Sequence, residues 1–156
     1  ASKSGKIGEV GNKDGRLIKN LAIQYFKPKP IINIHGSNYK TKDGTCVRDY
    51  IHVSDIADIH YECIKYLKKN LKSNIFNCGY GKGFSVLQIL NSFNKLLEKP
   101  IKYKIGPRRK GDTEKVVANC NKIKKILKWK PKYNSIEIIL KSALEWEKKI
   151  YKKKFI

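Results

Sequence analysis

The chain uses arginine sparingly. Of its 35 basic residues only four are Arg: Arg16, Arg48, Arg108 and Arg109. A guanidinium binds carboxylate or phosphate through two parallel hydrogen bonds, which a lysine point charge cannot reproduce. Arg48 and the Arg108-Arg109 pair are therefore the first candidates for contact with an anionic ligand. Arg48 lies in the stretch from Asp43 to Asp58, Asp-Gly-Thr-Cys-Val-Arg-Asp-Tyr-Ile-His-Val-Ser-Asp-Ile-Ala-Asp. After its Asp-Gly turn this stretch alternates like a strand. Val47, Ile51 and Val53 point one way, with Asp49 among them, and Arg48, Tyr50 and His52 point the other. Ser54 then fits a helix N-cap, with Asp55 in the first turn. The pattern describes either a ligand wall of Arg, Tyr and His or an edge strand with a solvated face. The second candidate loop, Gly106-Pro107-Arg108-Arg109-Lys110-Gly111-Asp112, follows a predicted strand. Asp112 can orient the guanidiniums or take hydroxyl hydrogen bonds; an exposed basic loop reads the same way.

Other constellations are weaker. Gly79-Tyr80-Gly81-Lys82-Gly83 stands between a predicted strand and a capped helix, where phosphate turns occur. Its spacing is GxGxG, not GxGxxG, and no Gly-Lys-Ser/Thr follows, so a tight structural turn is the better reading. His35, His52 and His60 have no metal spacing, and the four cysteines form no CxxC pair. No acid–base pair can be assembled, so neither a catalytic nor a metal residue is assigned within the chain.

These candidates need a scaffold, and 156 residues with 40% hydrophobic content suffice for one domain. No apolar run is long enough for a membrane span. Unpaired thiols predict a reduced, cytoplasmic protein. The net charge of +22 is spread over every segment as lysine. It predicts salt-sensitive, nonspecific polyanion binding and no specific nucleic acid.

Residues 1 to 15 read as an irregular lead-in. A helix opens at Asp14 or Gly15 and runs to about Phe26. Strands are predicted at 31–35, through the central stretch, at 74–78 and at 101–105. Helices are predicted from Ser54 to about Lys69, from Ser85 to Leu97 behind a Ser85–Gln88 capping box, from Asn119 to Leu127, and from Ser135 to about Tyr151. The fold class is mixed α/β.

The central stretch closely resembles the DGTGVRDYIHVxDLA signature of the UDP-glucose 4-epimerase family, within the extended short-chain dehydrogenases/reductases. Ala1 to Glu9 resembles that family's GAxxSGxIGE segment, Asn77 to Val86 its NLGxGxGxSV turn, and Arg108 to Asp112 its RRxGD loop. The resemblance covers nearly the whole chain. Nothing in the chain matches the family's Gly-rich NAD turn or its catalytic Ser and Tyr-x-x-x-Lys. The resemblance thus implies a C-terminal, substrate-binding half, either a fragment or a separate chain. NAD and catalysis would lie in the other half, and this chain alone would be inactive.

What the resemblance implies can be carried over by position. The diphosphate arginines match Arg48 and Arg109, and the ribose-contacting aspartate matches Asp112. The strand flanking uracil matches Asn33, Ile34 and His35. The start of the first helix matches Arg16 and Leu17, although the family usually has Asn or His at position 16. The sugar-pocket gate falls on Val116, whose small side chain leaves room for N-acetylated sugars. The implied function is interconversion of UDP-glucose and UDP-galactose by hydride transfer at C4 to NAD and back, in a homodimer of the complete enzyme. The rivals are another nucleotide-sugar dehydratase or uronate epimerase, a basic nucleic-acid-binding module, and a catalytically dead half that only binds.

Overall fold

A computed structural model describes residues 1–11 and 16–153. Ten elements follow in order: α1 (Leu17–Tyr25), β1 (Ile31–His35), β2 (Val47–Asp49), α2 (Val53–Asn70), β3 (Gly83–Ser85), α3 (Val86–Asn94), β4 (Lys102–Gly106), β5 (Lys115–Val116), α4 (Asn121–Leu127) and α5 (Ile136–Lys153). The expected mixed α/β class is found. β1 and β4 pair in parallel, with Ile31 beside Lys102 and His35 beside Gly106. A second sheet has β2 at its centre, antiparallel to β3 and parallel to β5.

Two cores hold these pieces. α1 has apolar residues at 17, 18, 21, 22 and 25, one face of a helix. Leu21, Ala22, Ile32, Ile34, Ile89, Leu90, Phe93 and Leu140 bury together, joining α1, β1, α3 and α5. The second core joins Ile59, Tyr80, Cys120, Ile123, Trp129 and Ile139. Burying a side chain of this size stabilises by roughly 1.5–3 kcal/mol.

Polar ties set the angles. Ser85 Oγ accepts from Gln88 N at 3.1 Å and Gln88 Oε1 accepts from Ser85 N at 2.9 Å, the expected capping box. Ser85 Oγ also donates to the Asp43 carboxylate, which accepts from Thr45 Oγ1 at 2.7 Å. Burial pushes the Asp43 pKa up, but these hydroxyl bonds outweigh it and hold the carboxyl below its usual range. The Asp43-Gly44-Thr45 turn is thereby fastened to the start of α3. Asp55, with no exposure at all, clasps a distant loop. Its carboxylate accepts from Tyr80 Oη at 2.6 Å and from the backbone N–H groups of Lys132 and Tyr133, each at 3.0 Å.

Several sequence expectations are corrected. The segment 74–78 is not a strand: no other strand lies beside it among the described residues, and Ile75 is 83% exposed. Without a partner, an extended segment has no ladder to join. α2 begins one residue earlier than Ser54, with His52 as N-cap, because His52 Nδ1 accepts from Ser54 N at 3.1 Å. α3 stops at Asn94 and not Leu97. The Asn94 side chain turns to pair with the backbone of Ile101, through Oδ1 at 2.9 Å and Nδ2 at 3.2 Å. α4 has Cys120 and not Asn119 as N-cap, although Asn119 Oδ1 accepts from Asn121 N at 3.1 Å. β3 and β5 were not expected; both are too short to show alternation. The described part of the lead-in is irregular and docks on α5, Trp146 Nε1 donating to Glu9 O at 2.9 Å. The predicted helix start at Asp14 or Gly15 lies outside the described residues.

Candidate functional site

The two sheets bring the C-terminal ends of β1 and β4 close to the loop that precedes β5. Gly36 N donates to Gly106 O at 3.0 Å, which carries the β1–β4 ladder into both following loops. On β1 the side chains alternate: Ile34 is 2% exposed and belongs to the core, Asn33 is exposed, and His35 is half-buried. Ile34 can therefore meet a ligand only through its backbone.

On β2, Arg48 lies directly beside Val116 of β5. Arg48 Nη1 donates to the carbonyls of Val47 at 2.9 Å and Thr113 at 2.8 Å. Its Nη2 stands 3.5 Å from Asp112 Oδ1, with both side chains about one-third exposed. A guanidinium held by two carbonyls keeps its orientation when a ligand displaces or joins the carboxylate. Val47 N also donates to Glu114 O at 2.8 Å, locking the strand to the loop after Asp112. Arg109 is exposed in that loop, whose turn is closed by Asp112 N donating to Arg109 O at 3.3 Å. The structure thus groups Arg48, Asp112 and Val116, with Arg109 three residues before Asp112.

Arg16 and Leu17 face a different recess of about 370 Å³, lined also by Tyr50, His52, Ser142 and Trp146. Arg16 pairs there with Glu9. Burial pushes the Tyr50 pKa up to about 12, although nearby Arg48 opposes the shift. His52 is 1% exposed, and burial lowers its pKa. Because its Nδ1 accepts from Ser54 N, the neutral ring carries its proton on Nε2, 3.3 Å from Ser142 Oγ.

The glycine turn is occupied from within. Asp49 Oδ1 accepts from Tyr80 N at 3.1 Å, and Oδ2 accepts from Gly81 N at 2.8 Å and Ala118 N at 3.3 Å. A Cβ at Gly79 would lie 2.5 Å from Asp49 Oδ2, so the residue must be glycine for the carboxylate to enter. The amides that a phosphate would need are already bonded to a carboxylate, which favours the structural-turn reading of this motif. Asp49 was legible as the one acid in an apolar row. Asn38 and Tyr39, which meet Arg108, gave no such signal inside a polar stretch.

The model of the NAD dependent epimerase/dehydratase family matches residues 5–79 of the chain. The chain's likeness is to UDP-glucose 4-epimerases. It is 38% identical to the UDP-glucose 4-epimerase of Halalkalibacterium halodurans over 148 residues, covering 95% of this chain and 44% of that enzyme. A crystal structure of the Stenotrophomonas maltophila UDP-glucose-4-epimerase, with bound NAD and formylated UDP-arabinopyranose, superposes with a TM-score of 0.91 at 29% identity. That match covers 98% of this chain and 46% of the other. The UDP-Glc/GlcNAc 4-epimerase of Campylobacter jejuni is 42% identical with a TM-score of 0.78, over 91% of this chain and 43% of the other. The chain therefore spans less than half the length of the relatives it matches. Its described residues do not fit an NAD site in the one glycine-rich turn available, whose amides Asp49 holds. Among the described residues no helix is long and apolar enough to cross a membrane, and no cluster of metal-binding side chains occurs.

Proposed function

We propose that this chain forms the UDP-sugar-binding, C-terminal part of a UDP-glucose 4-epimerase. The complete enzyme would interconvert UDP-glucose and UDP-galactose, with NAD and the proton-transferring groups held outside these 156 residues. The observation that carries the reading is the convergence of Arg48, Asp112 and Val116 at one place, from segments more than 60 positions apart. Arg48 and Arg109 take the diphosphate, Asp112 takes a ribose hydroxyl, and the exposed side of β1, through Asn33 and His35, flanks the base. Arg16 and Leu17 border the neighbouring recess and approach the ligand from α1. The part played by this chain is to bind and orient, converting remote binding energy into a fixed sugar position.

Val116 is 52% exposed and stands across the ladder from Arg48. A small side chain there suits N-acetylated UDP-hexoses as well as plain ones, the pair of sugars named for the Campylobacter relative. Titration of UDP into the full-length protein at low and at 0.5 M salt tests the reading. Uracil-selective binding that survives salt is the expected result. Binding that collapses with salt and ignores the base would mean a polyanion surface instead. Residues 1–156 alone should neither retain NAD nor turn over UDP-galactose.

A further inference from the structure

Arg108 and Arg109 are adjacent in sequence, yet only Arg108 is built into the fold. Its guanidinium lies over the Tyr39 ring, 4.0 Å from the centroid. Its Nε donates to Asn38 Oδ1 at 2.7 Å, and its Nη2 donates to the Asn38 carbonyl. The platform beneath it is rigid. Tyr39 is 4% exposed, its N–H donates to Gly44 O at 3.0 Å, and Thr41 Oγ1 closes the same loop on Thr45 O at 2.8 Å. Gly36 makes room for the contact. Its φ is +86°, and a Cβ there would fall 2.7 Å from both Arg108 Cγ and Tyr39 Cε2. The loop after β4 is thus anchored at two points: at Arg108 on the loop after β1, and at Asp112 on Arg48. Arg109 sits between the anchors, and Gly111, at φ +88°, turns the chain back toward the second.

We propose that Arg108 is a positioning residue: stacked on Tyr39 and bonded to Asn38, it fixes the loop so that Arg109 and Asp112 face the nucleotide diphosphate and ribose. This rests on the reading of Arg48, Arg109 and Asp112 as the UDP-sugar site. Lysine at 108 would keep the charge and part of the attraction to the ring but lose the fork that grips Asn38. Because the loop holds the nucleotide and not the reacting carbon, its loosening should raise KM and leave kcat nearly unchanged.

The test uses the full-length protein, with UDP affinity by calorimetry and steady-state kinetics on UDP-galactose. Arg108→Ala should raise the Kd for UDP and the KM about 10-fold with kcat within twofold, and Arg108→Lys about 3- to 5-fold. Asn38→Ala, which removes an exposed acceptor and spares the core, should raise Kd about 3-fold. In the double variant that loss should vanish into the loss from Arg108→Ala, because both remove one contact. Full additivity, or an unchanged Kd in Arg108→Ala, overturns the positioning role. So does a parallel fall in kcat and melting temperature without a change in Kd. Arg48→Lys and Arg109→Lys are the controls. If these two bind UDP like wild type, the site reading itself fails. If they lose affinity while Arg108→Ala does not, only the positioning role fails.

Discussion

Replacing Asp55 should destabilise the protein far more than an average substitution. Its carboxylate is fully buried and accepts three hydrogen bonds, from Tyr80 Oη, Lys132 N and Tyr133 N. Hydrogen bonds to a charged group contribute about 1.5–3 kcal/mol each, and a donor left buried without an acceptor costs about 1–3 kcal/mol. One feature reduces the sum: Lys132 is exposed, so water can reach its N–H. Tyr80 Oη still accepts from His52 N at 3.1 Å, but its own proton loses its acceptor. Asp55→Ala should therefore cost about 3–5 kcal/mol. Asp55→Asn keeps the shape but turns an NH₂ group toward one of the donors, and should cost about 2 kcal/mol. Tyr80→Phe removes two bonds, the one donated to Asp55 and the one accepted from His52 N, for about 2 kcal/mol. Urea unfolding of the full-length protein, followed by circular dichroism, reads these values. With a slope of about 1–3 kcal/mol per molar, the alanine variant should move the midpoint by more than about 1 M. Midpoints for Asp55→Ala and Asp55→Asn within about 0.5 kcal/mol of wild type would refute the reasoning, since the clasp would then hold nothing that solvent cannot replace.

Three further outcomes are expected. Arg48→Lys and Arg109→Lys should each weaken UDP-sugar binding by roughly 1.5–3 kcal/mol despite conserved charge; calorimetric affinities within twofold of wild type would make them surface residues. Val116→Tyr should cut kcat/KM on UDP-N-acetylglucosamine roughly 10- to 100-fold while sparing UDP-galactose, as overpacking of a tight site costs about 1–3 kcal/mol; an equal loss on both sugars would show that Val116 is no gate. His52, whose pKa is lowered by burial from 6.5, is neutral in the fold and takes up its proton more readily when unfolded. The stability linked to this group is therefore full above about pH 6.5 and declines as pH falls through the folded value. Melting curves from pH 8 to 5 should show that decline, and His52→Asn, which keeps an N-cap acceptor, should remove this group's share of it.

The elements most legible in sequence are those carrying their own local signals. The Ser85–Gln88 box, the alternation of Ile31 to His35 and the prolines after Phe26 each fix one boundary from a few neighbours. What escaped depends on partners far along the chain. Asp55 reads as a favourable acid in a first turn, and nothing nearby announces that residues 132 and 133 come to it. The run 74–78 has a strand's composition, but composition cannot supply a neighbouring strand. In the candidate site, Arg48 was legible as a type suited to an anionic ligand and Asp112 as one that orients guanidiniums or takes hydroxyl hydrogen bonds, and their pairing required the fold. Tyr39 was hidden because one aromatic in a polar loop carries no periodicity. Residue type alone likewise does not separate Arg108 from Arg109; the resemblance picks out Arg109, and only the fold shows that Arg108 stacks on Tyr39.

The two-stranded β1–β4 sheet has a consequence for how the protein behaves in concentrated solution. Strand β4 leaves one edge open among the described residues, with Tyr103 and Ile105 each about half exposed. Such an edge is a template for pairing with another chain. Here Lys102 and Lys104 alternate along it, and a second copy approaching edge to edge would bring the same charges into register. Repulsion between like strands thus keeps copies apart, and the excess of +22 acts in the same direction. That protection is electrostatic, and at 0.1 M salt charges are screened beyond about 10 Å. Colloidal stability should accordingly fall as ionic strength rises, which light scattering across a salt series would reveal; scattering that is flat or decreasing with salt would place the protection elsewhere.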